Sequence, residues 1–274
     1  MSQKQTISAV MITYNAERFI RGSLESIKGW VDEIIIVDMF STDNTIEIAK
    51  EYTQKIFQDS SDAPIRGNIG ISKATSDWIL CIGATERITQ SLKEEIITTV
   101  KNEKYVGYHI PRKNYVYGIY MEERPGPLYL FRRGPWRYSC IGGHETIKLN
   151  GKIGYLRNFK LHWASPGIED SVNKINFYTS RDAKTVFANH PNAFFWRHPV
   201  KRANLFNMLY RPLVGFFSIY FFAKMYRYGM QGFIVAVMSA FNYFLEIAKL
   251  WELQYKKQHM IKDDPLILEQ YKKI

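Results

Sequence analysis

The most constraining feature of the chain is an apolar run that ends on a carboxylate. Residues 34–45 read Ile-Ile-Ile-Val-Asp-Met-Phe-Ser-Thr-Asp-Asn-Thr, which predicts a buried strand ending at Asp38, followed by a tight turn into a helix. Similar apolar runs occur at Ile7–Thr13, before it, and at Trp78–Ile82, after it. Strands that alternate with helices at this spacing predict an α/β fold with a mostly parallel, Rossmann-like sheet.

Ligands of such sheets bind beyond the carboxyl ends of the strands. Three segments are expected at that edge, namely Thr13-Tyr14-Asn15, residues 38–43 and residues 83–87. The Asp38 carboxylate can accept a hydrogen bond from a ribose hydroxyl or a base N–H group, and Thr13 and Asn15 can contact the base. These residue types in this order indicate a nucleotide pocket, although Asp38 at the start of a helix is also a candidate N-cap.

The charge of the chain is concentrated near its C-terminal end. The net charge is +11, yet residues 183–245 contain no Asp or Glu and hold seven basic residues together with 17 of the 41 aromatic residues. These cations interrupt the apolar runs Leu213–Ala223 and Phe233–Leu245, a pattern that does not favour nucleic-acid binding. Each run is about half of the ~20 residues that span a bilayer.

We therefore expect residues 183–250 to form interfacial or re-entrant helices on a membrane surface. An aromatic-rich helical core, or pairing of this region in a homo-oligomer, are the alternatives. The two cysteines, Cys81 and Cys140, have neither metal-ligand nor disulfide spacing, and the polar start lacks the apolar core of a secretory signal.

The same patterns predict the organisation of the rest of the chain. Beyond Lys101 we expect strands at Val106–Arg112, Tyr115–Tyr120, Pro127–Phe131 and Glu145–Leu149, and then a helix at Ile168–Ala188. The predicted domains are a nucleotide-binding domain at 1–165, a helical region at 166–255 and a polar tail at 256–274.

Several motifs together carry a resemblance to a known family. In chain order they are Ile12–Asn15, Asp32–Thr45, Arg66–Asn68, Lys73–Trp78, Leu130–Arg133, the pair His144-Glu145, and Gly232–Trp251. On these motifs the chain resembles the GT-A-fold, family 2 glycosyltransferases. It is most similar to the branch that adds sugars to bacterial lipopolysaccharide core and related surface glycans.

The resemblance implies transfer of a sugar, with inversion, from a nucleotide-diphosphate donor, commonly a UDP-sugar, to a hydroxyl group. It places the following residues at the donor: Thr13, Tyr14, Asn15, Asp38, Arg66, Thr85 and Glu86. Glu145 is the candidate base that takes the proton of the acceptor hydroxyl, and His144 is a candidate for orienting substrate or contacting phosphate. A structural histidine is the alternative for His144.

One motif departs from the family. Where the family has Asp-Ala-Asp-Glu-Arg, this chain reads Gly83-Ala84-Thr85-Glu86-Arg87, so the aspartates that hold Mn²⁺ or Mg²⁺ in related enzymes are missing. The family's Arg-Asn pair is also altered, because Gly67 separates Arg66 from Asn68. No cofactor is firmly predicted, and a divalent ion would lack its usual ligands.

Three interpretations follow from this departure. In the first, the enzyme needs no metal, and cationic side chains offset the diphosphate charge, the candidates being Arg66, Arg132, Arg133 and Arg137. In the second, Glu86 and His144 retain a metal. In the third, the chain is a catalytically silent homologue that acts as a binding or scaffold subunit of a glycan-assembly complex. The first gives the leading hypothesis, an active transferase at the cytoplasmic face of the bacterial inner membrane with a glycan or glycolipid acceptor.

Overall fold

A computed structural model gives the fold of the chain. It describes residues 5–136, 138–141, 144–165, 167–188, 200 and 202–259, and for residues 137–146 and 165 it describes no side chains. The chain divides into two compact units, Met1–Cys140 with His144–Gly167, and Ile141–Gly143 with Ile168–Ile274. The first unit contains the β-sheets, and the second is largely helical.

The first unit alternates strands and helices up to residue 99 and is mostly β-structure after that. Its strands are β1 (Ile7–Thr13), β2 (Glu33–Asp38), β3 (Ile56–Gln58), β4 (Trp78–Cys81), β5 (Glu86–Ile88), β6 (Gly107–His109), β7 (Arg112–Val116), β8 (Ile119–Glu123), β9 (Leu128–Arg132), β10 (Tyr138–Ile141), β11 (His144–Ile147), β12 (Ile153–Tyr155) and β13 (Lys160–Ser165). Its helices are α1 (Glu17–Ile27), α2 (Thr45–Lys50), α3 (Ala63–Lys73) and α4 (Gln90–Thr99).

A seven-stranded sheet in the order β12-β6-β9-β4-β1-β2-β3 forms the centre of this unit. Strand β1 pairs in parallel with both β2 and β4, and β2 pairs in parallel with β3. Strand β9 is antiparallel to its neighbours β4 and β6. The predicted α/β fold with a mostly parallel sheet is therefore confirmed, and the parallel strands bring their carboxyl ends to one edge.

The core of the sheet follows from the apolar periodicity of its elements. Helix α1 buries Ile20, Leu24 and Ile27, which are four and three residues apart and so lie on one helical face. These side chains pack in one cluster with Met11 of β1 and Leu80 of β4, all five being fully buried. Burial of each such side chain contributes about 1.5–3 kcal/mol, so this face fixes α1 against the sheet.

A smaller sheet has the strand order β5-β13-β7-β8, and its strand β5 follows β4 in the sequence. The sequence predicted one strand over Tyr115–Tyr120, and this prediction is wrong. Strands β7 and β8 form a hairpin in which Val116 pairs with Ile119. Its turn residues Tyr117 and Gly118 have φ angles of 48° and 92°, as a two-residue turn between twisted strands requires.

The second unit consists of helix α5 (Ile168–Phe187), helix α6 (Leu205–Phe217), a π-helical turn (Ser218–Phe222), a 3-10 turn (Met225–Tyr228) and helix α7 (Gly229–Gln258). Ala183 and Val186 of α5 form a buried cluster with Ile247 and Leu250 of α7. The predicted C-terminal helical region is confirmed, and α7 extends through the first residues of the predicted polar tail.

Two segments of this unit, Leu205–Phe222 and Met225–Gln258, are long and apolar enough to cross a membrane by length and composition, with mean hydropathies of 1.3 and 1.5. These segments are longer than the apolar runs Leu213–Ala223 and Phe233–Leu245 of the sequence, because the helical segments extend beyond the runs. Many of their large side chains are exposed, including Phe206 at 68%, Phe222 at 84% and Met230 at 70%. A surface of this kind is typical of protein or lipid contact.

Candidate functional site

The carboxyl ends of β1 and β2 are joined through Asp38. Thr13 lies opposite Asp38 in the parallel register, and the Thr13 hydroxyl donates to Asp38 Oδ1 at 2.8 Å. Ser41 donates its N–H to Asp38 Oδ2 at 2.7 Å and its hydroxyl to Oδ1 at 2.5 Å. Asp38 is fully buried, so it holds the loop after β2 against the end of β1.

Asp38, which the sequence offers as a candidate N-cap, does not cap helix α2. Ser41 and Asp38 are engaged with each other, and the helix begins at Thr45 after the N-cap residue Asn44. The loop is instead fixed by Asn15, whose N–H donates to the Ser41 hydroxyl at 2.8 Å and whose Oδ1 accepts the N–H of Thr42 at 2.9 Å.

Two residues of these loops adopt the left-handed backbone conformation. Asn15 has a φ of 43° and Phe40 a φ of 55°. Such conformations cost free energy in residues other than glycine, and they cluster at ligand sites. The loops also leave two aromatic rings exposed, Tyr14 at 53% and Phe40 at 54%. Phe40 was not predicted from the sequence, where its only signal is a large aromatic residue in a turn after a strand.

Arg66 lies at the same edge, but its guanidinium is used inside the protein. The residue is buried, and it donates to the carbonyl oxygens of Thr13 and Ser61, both at 2.9 Å. The structure therefore places Arg66 as a support for the end of β1. Both acceptors are neutral carbonyl oxygens, so the expected role of Arg66 in offsetting the diphosphate charge stays a prediction.

The loop after β4 is organised by Glu86. Its Oε2 accepts the N–H of Gly83 at 2.8 Å and the Nζ of Lys160 at 2.7 Å. Lys160 is fully buried on β13, and its ammonium lies 3.4 Å from the centre of the Tyr129 ring. Arg112 Nη1 lies 3.9 Å from the other carboxylate oxygen of Glu86.

The titration of this pair reflects its burial. Burial alone would raise the pKa of Glu86, but the charges of Lys160 and His162 and the Gly83 N–H group hold that pKa below its usual value. Burial lowers the pKa of Lys160 to about 8, against the opposing attraction of Glu86. At neutral pH the pair is an internal ion pair, so the expected donor contact Glu86 is turned inward to Lys160.

Other groups fix the remaining carbonyl oxygens of the loop. Ser23 donates its hydroxyl to Gly83 O at 3.0 Å, and Trp163 donates its N–H to Thr85 O at 2.9 Å. Arg87 donates to Ala84 O at 3.2 Å, to Glu86 O at 2.8 Å and, on α1, to Phe19 O at 2.6 Å. The turn is therefore held rigidly at the carboxyl end of β4.

The donor set of this turn does not fit a divalent cation. Gly83 has no side chain, Thr85 offers a neutral hydroxyl, and Glu86 is paired with Lys160. Within the described residues, no three His, Cys, Asp or Glu side chains are grouped closely enough to hold a metal. The metal that the family resemblance implies is thus not matched by these residues.

The structure separates Arg132 and Arg133 from this edge. Because β9 runs antiparallel to β4, Arg132 pairs with Trp78 at the amino end of β4. Arg132 donates to Tyr105 O at 3.4 Å, and Arg133 donates to Ser76 O at 3.0 Å. This corrects the expectation that these two arginines offset the charge of the diphosphate.

Three of the expected residues lack a described side chain. Arg137 lies outside the described residues, and His144 and Glu145 are described only as backbone of β11. Their expected roles therefore remain predictions.

The comparisons with known proteins identify the family. Residues 8–156, more than half of the chain, match the family Glycosyl transferase family 2. The chain belongs to this family and is a glycosyltransferase. The predicted GT-A fold class is confirmed with it.

Several relatives match over nearly their whole length, among them the following two glycosyltransferases. An uncharacterised glycosyltransferase of Rickettsia typhi is 29% identical, and the match covers 95% of this chain and 92% of that protein. The lipopolysaccharide core biosynthesis glycosyltransferase LpsC of Rhizobium meliloti is 28% identical, with 97% and 99% covered.

Among solved structures, S. aureus TarS 1–349 is similar over 94% of this chain and 93% of that chain, with 12% identity and a TM-score of 0.46. Glucosyl-3-phosphoglycerate synthase from Mycobacterium tuberculosis, in complex with Mg²⁺ and UDP, is similar over 40% of this chain and 43% of that chain. Its identity is 19% and its TM-score 0.33.

Proposed function

We propose that this glycosyltransferase transfers a sugar, with inversion, from a UDP-sugar to a lipid-linked or cell-surface glycan at the cytoplasmic face of the bacterial inner membrane. The observation that carries the donor part is the carboxyl edge of the sheet. There, two internally braced loops in strained conformations present the exposed rings of Tyr14 and Phe40 beside Asp38. An exposed aromatic ring at such an edge suits the flat face of a uracil base.

Calorimetric titration with UDP tests this donor site. Tyr14→Ala should weaken UDP binding about tenfold, the equivalent of ~1.4 kcal/mol lost with one stacking partner. Ile97→Ala, which removes an exposed apolar side chain from α4, is the matched control and should leave the affinity unchanged. If the wild-type protein bound no UDP, or if Tyr14→Ala bound it normally, the proposed donor site would be wrong.

The proposed reaction is a single displacement. The oxygen of the acceptor hydroxyl bonds to the anomeric carbon, the bond from that carbon to the diphosphate oxygen breaks, and a base takes the hydroxyl proton. We propose Glu145 as this base and His144 as a group that orients substrate. Glu145→Gln should then abolish transfer while UDP binding persists. Binding without turnover in the wild type, over a broad acceptor panel, would instead favour the silent-homologue function.

Two observations support the proposed acceptor and location. The relative LpsC is a lipopolysaccharide core biosynthesis enzyme by name, and such acceptors are amphipathic. The second unit also presents apolar segments with exposed side chains. The cation Lys224 lies between the two segments, and Arg227 lies near the start of the second. Aromatic and basic residues together suit an anionic lipid surface.

A further inference from the structure

The glycine at the altered motif is not required by the backbone. A Cβ added at Gly83 would meet Glu86 Cγ at 3.5 Å, which is ordinary van der Waals contact. Gly83 is also not among the described residues with positive φ. An aspartate could therefore stand here without steric strain, so its absence changes the chemistry of the turn and not its fold.

The turn holds hydrogen-bond donors that the protein itself does not use. Within the described part of the chain, the N–H groups of Ala84 and Thr85 and the Thr85 hydroxyl have no hydrogen-bond partner. The neighbouring backbone groups do have partners. The Gly83 N–H group donates to the Glu86 carboxylate, and the Thr85 carbonyl oxygen accepts the backbone N–H of Trp163. Successive free backbone N–H groups are a recurrent means of binding anions, and donors to a charged acceptor make stronger hydrogen bonds than neutral pairs do.

The charges of the turn also favour direct binding of an anion. A turn with two free carboxylates repels a diphosphate until a divalent cation neutralises it. Here the positions of those carboxylates are neutral, and the remaining one, Glu86, is compensated internally by Lys160 at 2.7 Å. The turn can therefore receive an anion without a cation between them.

We propose that the Gly83–Glu86 turn binds the donor diphosphate directly, through the N–H groups of Ala84 and Thr85 and the Thr85 hydroxyl, in place of a metal ion. Lys160 is a positioning residue, because it holds Glu86, which in turn holds Gly83. The inference rests on the proposed function in one respect, that the donor carries a nucleoside diphosphate.

Metal dependence gives the first test. The wild-type protein is titrated with UDP in EDTA and again in excess Mn²⁺, and the two dissociation constants should agree within about twofold. Affinity that fell tenfold or more in EDTA would overturn the inference and leave the proposed function standing. Gly83→Asp combined with Thr85→Asp should give the opposite behaviour, with UDP binding that is weakened in EDTA and restored by Mn²⁺.

A comparison of UDP with uridine locates the contact. Thr85→Val keeps the branched shape, breaks no hydrogen bond within the described protein, and should weaken UDP binding about tenfold while uridine binding is unchanged. Thr98→Val, which removes a hydroxyl from the exposed face of α4, is the control and should alter neither affinity.

Lys160→Met should change the ratio of UDP to uridine affinity in the same direction as Thr85→Val. A purely structural role would lower both affinities together. Equal UDP affinity in Thr85→Val and wild type would refute the direct phosphate contact. Failure of the wild type to bind either UDP or uridine would refute the proposed function itself.

Discussion

Removal of the buried ammonium of Lys160 is the most decisive test of how the first unit is held together. Lys160 has no exposed surface, and its partner Glu86 is 3% exposed. In Lys160→Met the carboxylate stays buried with the Gly83 N–H at 2.8 Å, and the Arg112 guanidinium lies 3.9 Å away. Breaking a buried pair by deleting one partner costs about 3–5 kcal/mol.

The expected result is a loss of about 3–5 kcal/mol in unfolding free energy at neutral pH, and a melting temperature about 10 °C lower. Urea denaturation followed by circular dichroism measures the first quantity, and a thermal scan measures the second. Lys113→Met on the neighbouring strand β7 is the control, because Lys113 is 40% exposed and its contact with Glu122 is a loose surface pair at 3.7 Å.

A double-mutant cycle separates the pair from its surroundings. Glu86→Gln alone leaves a buried lysine, which can lose its proton because burial already lowers the pKa of Lys160 to about 8. Lys160→Met with Glu86→Gln leaves neither charge, so the double variant should be more stable than the two single losses predict, by about 2 kcal/mol. Additive losses within ~0.5 kcal/mol would refute the view that the two groups act as one pair.

Three further results are expected. Gly70→Ala should lose about 1–3 kcal/mol of stability by urea denaturation, because its new Cβ would lie 2.4 Å from Val10 Cγ1, whereas Gly83→Ala should be nearly neutral. Because the folded-state pKa of Glu86 lies below 4.5, its stabilisation is present above that pH and is lost as the pH falls through the folded value. Wild type should therefore lose stability more steeply than Glu86→Gln in denaturation below pH 4.5, and equal slopes would contradict this. Phe222→Ser should weaken cosedimentation with anionic phosphatidylglycerol vesicles about tenfold, and unchanged binding would exclude this segment from the lipid contact.

The elements that the sequence predicted well are those whose signal is local. Strands β1, β2 and β4 are short apolar runs, and they occur within a residue of the predicted ends. Helix α4 was missed because it buries only Leu92 and Ile96, too few for a clear amphipathic period, although Thr89 caps it by accepting the N–H of Leu92.

The candidate site was predicted only as far as strand order and direction could be read from the sequence. The sequence placed Thr13 and Asp38 at one edge because consecutive parallel strands share that edge. It misplaced Arg132, since an apolar run such as Leu128–Phe131 does not reveal that β9 is antiparallel. It also missed Lys160, whose ion-pair partner, Glu86, is 74 residues away in the chain.

The buried pair explains why the altered motif is altered in only part of its length. In Gly83-Ala84-Thr85-Glu86-Arg87, neither position that differs from the family pattern holds the turn through a side chain. Gly83 has none, and the Thr85 hydroxyl has no hydrogen bond within the described residues. Two of the three positions that match it hold the turn through their side chains, since Glu86 compensates Lys160 and Arg87 donates to three carbonyl oxygens. Loss of Glu86 would leave a lysine buried without its counter-ion, whereas loss of an aspartate at residue 83 or 85 removes a ligand contact and leaves the fold intact. The proposed direct contact between this turn and the diphosphate therefore requires no change in the backbone of the turn.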